Sequence, residues 1–179
     1  MMTFHPRWLA AGLVLVAATA AAATAAVAQS ADLALCDRIA ADPSDPDKPA
    51  DVKGTAQIAA ADIPTALKFC RTAAASSRRA MYELGRAYAA NNQPAEALAT
   101  YRKAADKGSS SAMVELGVAY ATGAGLAKDD AKARQLFERA ASAGNPRGVT
   151  NLSALGGGSD PVKNRALWQR APRVMPRRN

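Results

Sequence analysis

The chain has 179 residues, with 23 lysines and arginines against 15 aspartates and glutamates, a formal charge of +8, and 49% hydrophobic residues. That length suits one modest domain. Its single histidine, His5, and its two cysteines leave nothing beyond the first few residues from which to build a nucleophile–histidine system or an imidazole-ligated metal site.

One cationic side chain, Arg7, precedes an apolar run from Trp8 to Ala28, greasiest from Leu9 to Val16. Ala26-Val27-Ala28 ahead of Gln29 is a small-x-small cleavage signal, so residues 1–28 read as a secretory signal peptide and the chain as periplasmic or secreted. An uncleaved anchor is the alternative, since the run approaches spanning length. Its alanine-rich second half is weakly hydrophobic and favours cleavage. Cleavage removes Arg7 and His5, which leaves a charge of +7 and no histidine.

Residues 29–77 read as an atypical N-terminal hairpin. Ala31 to Ala41 predicts a short helix with Leu35 and Ile39 four apart. From Asp42 the chain loses helical period, with Pro43, Pro46 and Pro49 among Asp42, Asp45, Asp47 and Asp51, and a loop is expected to about Ala61. Asp62 to Ser76 predicts a second helix with Pro64 in its first turn and Ile63, Leu67 and Cys70 on the apolar face. In an exported chain the pair Cys36 and Cys70 reads as a disulfide, worth roughly 3–4 kcal/mol on the chain-entropy model. A redox role would ordinarily use Cys-x-x-Cys spacing, which is missing.

Residues 78–158 contain one helical hairpin written twice. The first copy runs Met81-x-x-Leu84-Gly85-x-x-Tyr88, then Ala97-x-x-x-Tyr101-x-x-Ala104, and closes at Gly108. The second runs Met113-x-x-Leu116-Gly117-x-x-Tyr120, then Ala133-x-x-x-Phe137-x-x-Ala140, and closes at Gly144. Such periods mark a solenoid. Helices are expected at about 78–91, 94–107, 111–122 and 129–143. Gly85 and Gly117 sit inside helices, where glycine costs roughly 1 kcal/mol against alanine; close approach of the second-helix aromatic explains them. Pro94 and Asn145-Pro146 open helices, and Gly108 and Gly144 close them. Pro146 to Leu155 is half a further copy, with Ser153 where glycine stood before.

The first copy resembles the tetratricopeptide pattern. The second, with Gly123-x-Gly125 and a longer loop before Asp129-Asp130-x-Lys132-Ala133, is similar to a Sel1-like repeat. The resemblance implies a right-handed stack of antiparallel helix pairs that holds other proteins. The expected fold is therefore all-α: a short α-solenoid with a disulfide-clamped first hairpin and, over residues 159–179, a flexible basic tail. That tail carries Lys163, Arg165, Arg170, Arg173, Arg177 and Arg178 against Asp160.

Ligands of such solenoids usually lie along the first helices. The positions outside the core stripe there are Arg79, Tyr82 and Arg86 in the first copy and Val114, Val118 and Thr122 in the second. Two arginines flanking a tyrosine suit a carboxylate; an ordinary solvated helix face is the plain alternative. The second copy lacks the asparagine or lysine of the carboxylate clamp found in tetratricopeptide chaperone cofactors. Asp129 and Asp130 fall at a helix start, where acidic groups complement the helix dipole. Gly123-Ala124-Gly125 is too short for a phosphate loop. No catalytic residue, cofactor, metal or nucleic-acid partner is expected. The leading reading is a non-enzymatic scaffold that binds an unidentified protein or peptide through its concave helical face. The alternatives are a cell-envelope hydrolase, as for disulfide-rich Sel1-like proteins with a cysteine pair in every repeat, and a tether that holds an anionic envelope component by its tail.

Overall fold

The computed structural model describes residues 31–156. The expected signal peptide and the basic tail lie outside these residues. Every regular element within them is helical: α1 (31–40), a 3-10 turn (Ala60–Asp62), α2 (Ile63–Ala73), α3 (Arg78–Ala90), α4 (Pro94–Asp106), α5 (Ser110–Thr122), α6 (Asp130–Ser142) and α7 (Pro146–Ala154).

Local chemistry sets the helix ends. Side-chain oxygens of Ser77, Ser109, Asp129 and Asn145 accept from Ala80 N, Ala112 N, Lys132 N and Arg147 N, each satisfying an amide that the first turn leaves unpaired. Asp129 is thus the cap of α6 rather than its first residue. Proline occupies the first turn of α2, α4 and α7, where its missing N–H costs nothing. Gly108 and Gly144, at φ 89° and 82°, turn the chain out of α4 and α6. Behind them Ser109 N and Asn145 N return to Ala104 O and Ala140 O at 2.9 and 3.0 Å.

Each helix from α2 onward packs on the next in sequence, and α7 also meets α5, so hairpins stack with first helices on one side. Alanine supplies much of the core, which lets the helices approach closely. A Cβ on Gly85 would collide with the ring of Tyr101, and one on Gly117 with the ring of Phe137. The same close approach recurs at Gly148, where a Cβ would lie 2.6 Å from Ala141 N. One core cluster gathers Tyr82, Tyr101, Leu116, Leu136, Phe137 and Leu152; the Tyr82 and Tyr101 centroids are 5.8 Å apart. A second surrounds the Cys36–Cys70 disulfide with Ala40, Ala66, Ala73, Leu84 and Ala87. The disulfide joins α1 to α2, as the pairing of the two cysteines predicts.

Residues 41–59 form no regular element but are closely fixed. Asp42 accepts from Ser44 N at 2.8 Å and Asp45 from Asp47 N at 3.2 Å, so each Asp-Pro pair folds as an Asx turn. The result is a strap that leaves α1 and runs across the first helices.

Candidate functional site: a polar cleft beside the strap

The residues expected to form a binding patch on α3 do come together, and the strap covers them. Arg79 donates from Nε and Nη2 to the two carboxylate oxygens of Asp37, both at 2.8 Å, and from Nη1 to Asp47 O at 3.1 Å. Tyr82 is fully buried and donates its hydroxyl to Asp42 Oδ2 at 2.6 Å. Arg86 donates from Nη1 to Ala40 O at 2.6 Å and from Nη2 to Thr55 O and Ala56 O at 2.7 and 2.9 Å. Arg78 forks onto Asp47, and Ser111 at the start of α5 donates to Asp45.

In the second copy Val114 is fully buried and Val118 packs half-buried against the core. Thr122 is exposed and donates its hydroxyl to Val118 O. The six positions therefore make no continuous open surface. The physical reason is charge and hydrogen-bond matching between the Asp-Pro-Ser-Asp-Pro-Asp stretch and the arginines of α3, at sequence separations that no local pattern displays.

The open part of this face is a cleft of about 620 Å³ between the strap and the helices. Asp42, Arg86, Tyr101, Glu115 and Arg147 contribute its polar lining, and Ile58 and Ile63 part of its apolar wall. Arg147 is positioned by the Asn145 cap of α7. Its Nη1 donates to Asp42 Oδ2 at 3.2 Å and its Nη2 to Glu115 Oε1 at 2.7 Å. Of these residues only Arg86 is a binding candidate in the sequence; Tyr101 and Ile63 read there as core positions. Repeat register held the missing signal: Arg147 lies 36 residues after Ser111, which itself lies 32 after Arg79, so all three occupy one repeat position.

The electrostatics follow from burial and partners. Burial alone would raise the Asp42 carboxyl, but the hydrogen bonds from Tyr82 and Ser44 and the charges of Arg86 and Arg147 hold it below its ordinary value. Burial raises Asp45, whose Oδ2 has no hydrogen-bond partner among the described residues. Burial, and then the charge of Glu115, push the Tyr101 hydroxyl up, so it stays protonated. Glu83 is fully buried, and burial, aided by Asp37, pushes it up to about 9. Its Oε2 lies 2.8 Å from Cys36 Sγ. A disulfide sulfur carries no proton, so any hydrogen in that contact belongs to the carboxyl. Cys36, Cys70 and Glu83 lie close enough to suggest a metal ligand set. Both sulfurs are bonded to each other, however, so in this state neither is the thiolate that a metal requires.

Fold and cleft define a class: a short solenoid of helical hairpins with one polar face built from first helices. The Sel1 repeat model matches residues 110–145, which is α5, its long loop, α6 and the cap of α7. Among solved structures, the chain is similar to a Sel1 repeat protein from Oxalobacter formigenes, at 31% identity and a TM-score of 0.51 over 59% of this chain. It spans 46% of that protein's length. A comparison with curated proteins returned no match. The chain thus carries a Sel1 repeat at residues 110–145 and is similar to a Sel1 repeat protein over more of its helical hairpins.

Proposed function

We propose that this protein is a non-enzymatic scaffold of the cell envelope, periplasmic or secreted, that holds an extended segment of another protein in the cleft beside the strap. The observation that carries this reading is the way the first-helix face grips the chain's own extended stretch. Arg86 directs both terminal nitrogens at three main-chain carbonyls, a contact that reads backbone rather than side chains. The cleft continues that face into open space, with apolar wall and polar floor together, as peptide-binding grooves have. A hydrolase would need an uncommitted acid and base facing each other. Asp42 and Glu115, the two carboxylates of the cleft, are both paired to Arg147, which weighs against that alternative.

The test is site-specific photo-crosslinking in cells that express the full chain. A crosslinker at Gln57, exposed and lining the cleft, is expected to capture a defined partner. One at Lys103, exposed on α4, is expected not to. Equal capture at both positions, or capture that depends only on residues 159–179, would replace the cleft reading with the tether.

A further inference from the structure

Two charges of each sign line the cleft, so net charge does not select its guest. The distribution of unused hydrogen-bonding capacity does. Arg86 has one terminal nitrogen on the last carbonyl of α1 and the other on strap carbonyls, and Arg147 has both of its own on Asp42 and Glu115. Asp42 accepts from Ser44, Tyr82 and Arg147. Glu115 accepts only at Oε1, and its Oε2 has no partner among the described residues. The Glu115 side chain is about a quarter exposed. The Tyr101 hydroxyl also lacks a partner among the described residues, although the residue is 7% exposed and lines the cleft. Arg147 still has free N–H groups, but Asp42 and Glu115 already balance its charge, so an incoming carboxylate would be a third anion around one cation. An incoming cation meets a carboxylate oxygen and a hydroxyl that nothing else uses.

We infer that the cleft is a receptor for a cationic side chain, lysine above all, carried on an extended segment of a partner protein. The ammonium sits against Glu115 Oε2 and the Tyr101 hydroxyl, and its methylene stem lies along Ile58 and Ile63. Lysine's three donors match two acceptors plus water, and its stem gains from the apolar wall. The inference rests on the cleft being the binding site.

Three capped pentapeptides, acetyl-Ala-Val-X-Val-Ala-amide with X as lysine, alanine or glutamate, test it by titration into the isotopically labelled full chain, followed by NMR. The lysine peptide is expected to shift resonances of residues 56–58, 86–90 and 115, and to bind about tenfold more tightly than the glutamate peptide, the factor that 1.4 kcal/mol supplies. Glu115→Gln, which keeps the shape and an acceptor for Arg147, is expected to cut that preference to below about threefold. Tyr101→Phe, which leaves all charges in place, should weaken lysine binding alone, and about 0.5 M salt should narrow the preference. Should Glu115→Gln fail to fold, Tyr101→Phe and the salt series decide.

Equal binding of the three peptides would overturn the cation preference and leave the cleft as a peptide site. A lysine preference unchanged in Glu115→Gln would overturn it also. Absence of any shift in the cleft with every peptide, both in the full chain and after deletion of residues 159–179, would sink both the inference and the proposed function. Binding seen only after residues 159–179 are deleted would make the chain's own tail the occupant, against a partner in trans.

Discussion

Glu83 and Glu115 occupy the same place in successive repeats, each just before the conserved-spacing leucine, yet one is fully buried and the other half-buried. The difference comes from what lies across each copy. The disulfide and Asp37 cover Glu83, whereas Glu115 faces the cleft and Arg147. A repeat register predicts where a side chain starts and not what covers it, so this contrast was not legible. Because the folded carboxyl of Glu83 is raised to about 9 from an ordinary 4.5, the folded chain binds a proton that the unfolded chain releases between those values. Stability from this group is therefore whole below about pH 4.5 and falls as pH rises toward 9. Glu83→Gln, neutral throughout, removes that slope. Melting temperatures at pH 5, 7 and 9 should show the wild type losing ground to the variant with each step; parallel curves would mean Glu83 is not held neutral. Gly117 was legible, because glycine inside a helical stripe needs a reason. Gly117→Ala should destabilise by about 1–3 kcal/mol by driving a methyl into the Phe137 ring. Ser153→Ala, exposed at the matching position of α7, should stay within about 0.5 kcal/mol in the same urea series.

At the scale of elements, α3 to α7 fall within a few residues of where periodicity and caps place them, since both are local and written in the chain. The strap is the opposite case. Its prolines and aspartates announce a loop, but its hold on the molecule runs through partners 30 to 105 residues away, from Arg78 and Arg86 to Arg147. Legible without the structure was only a complementarity of composition, aspartates before the repeats and arginines within them. Arg86 makes the most backbone contacts with the strap, so Arg86→Ala should free its C-terminal part while leaving the helices intact. Hydrogen exchange is expected to accelerate at residues 52–58, whose amides lose the support of the carbonyls fixed around them, with unchanged helicity by circular dichroism. If exchange rises equally in α3 and α4, Arg86 supports the whole hairpin rather than the strap.

Across the whole molecule, Asp42 is where three parts meet: the strap that carries it, Tyr82 of the first repeat and Arg147 of the last helix described. A solenoid is otherwise bound neighbour to neighbour, so its ends feel each other only through intervening repeats. The Asp42–Arg147 pair bypasses that order, and its energetic worth is measurable as a coupling. Arg147 is about a third exposed, so solvent discounts the pair well below a buried ion pair, and the coupling should be about 1 kcal/mol. Asp42→Ala alone should cost more than Arg147→Ala, because it also strips the buried Tyr82 hydroxyl of its acceptor. The sign with pH is fixed by the lowered carboxyl of Asp42. Its contribution is present above an ordinary value of 3.8 and is lost as pH falls below that through the folded value. A double-mutant cycle of Asp42→Ala and Arg147→Ala, by urea unfolding at pH 7 and again near pH 3, should therefore give a coupling at neutral pH that shrinks in acid. Additive single variants at pH 7 would mean that the strap does not join the first repeat to the last, and that the cleft is held by its neighbouring helices alone.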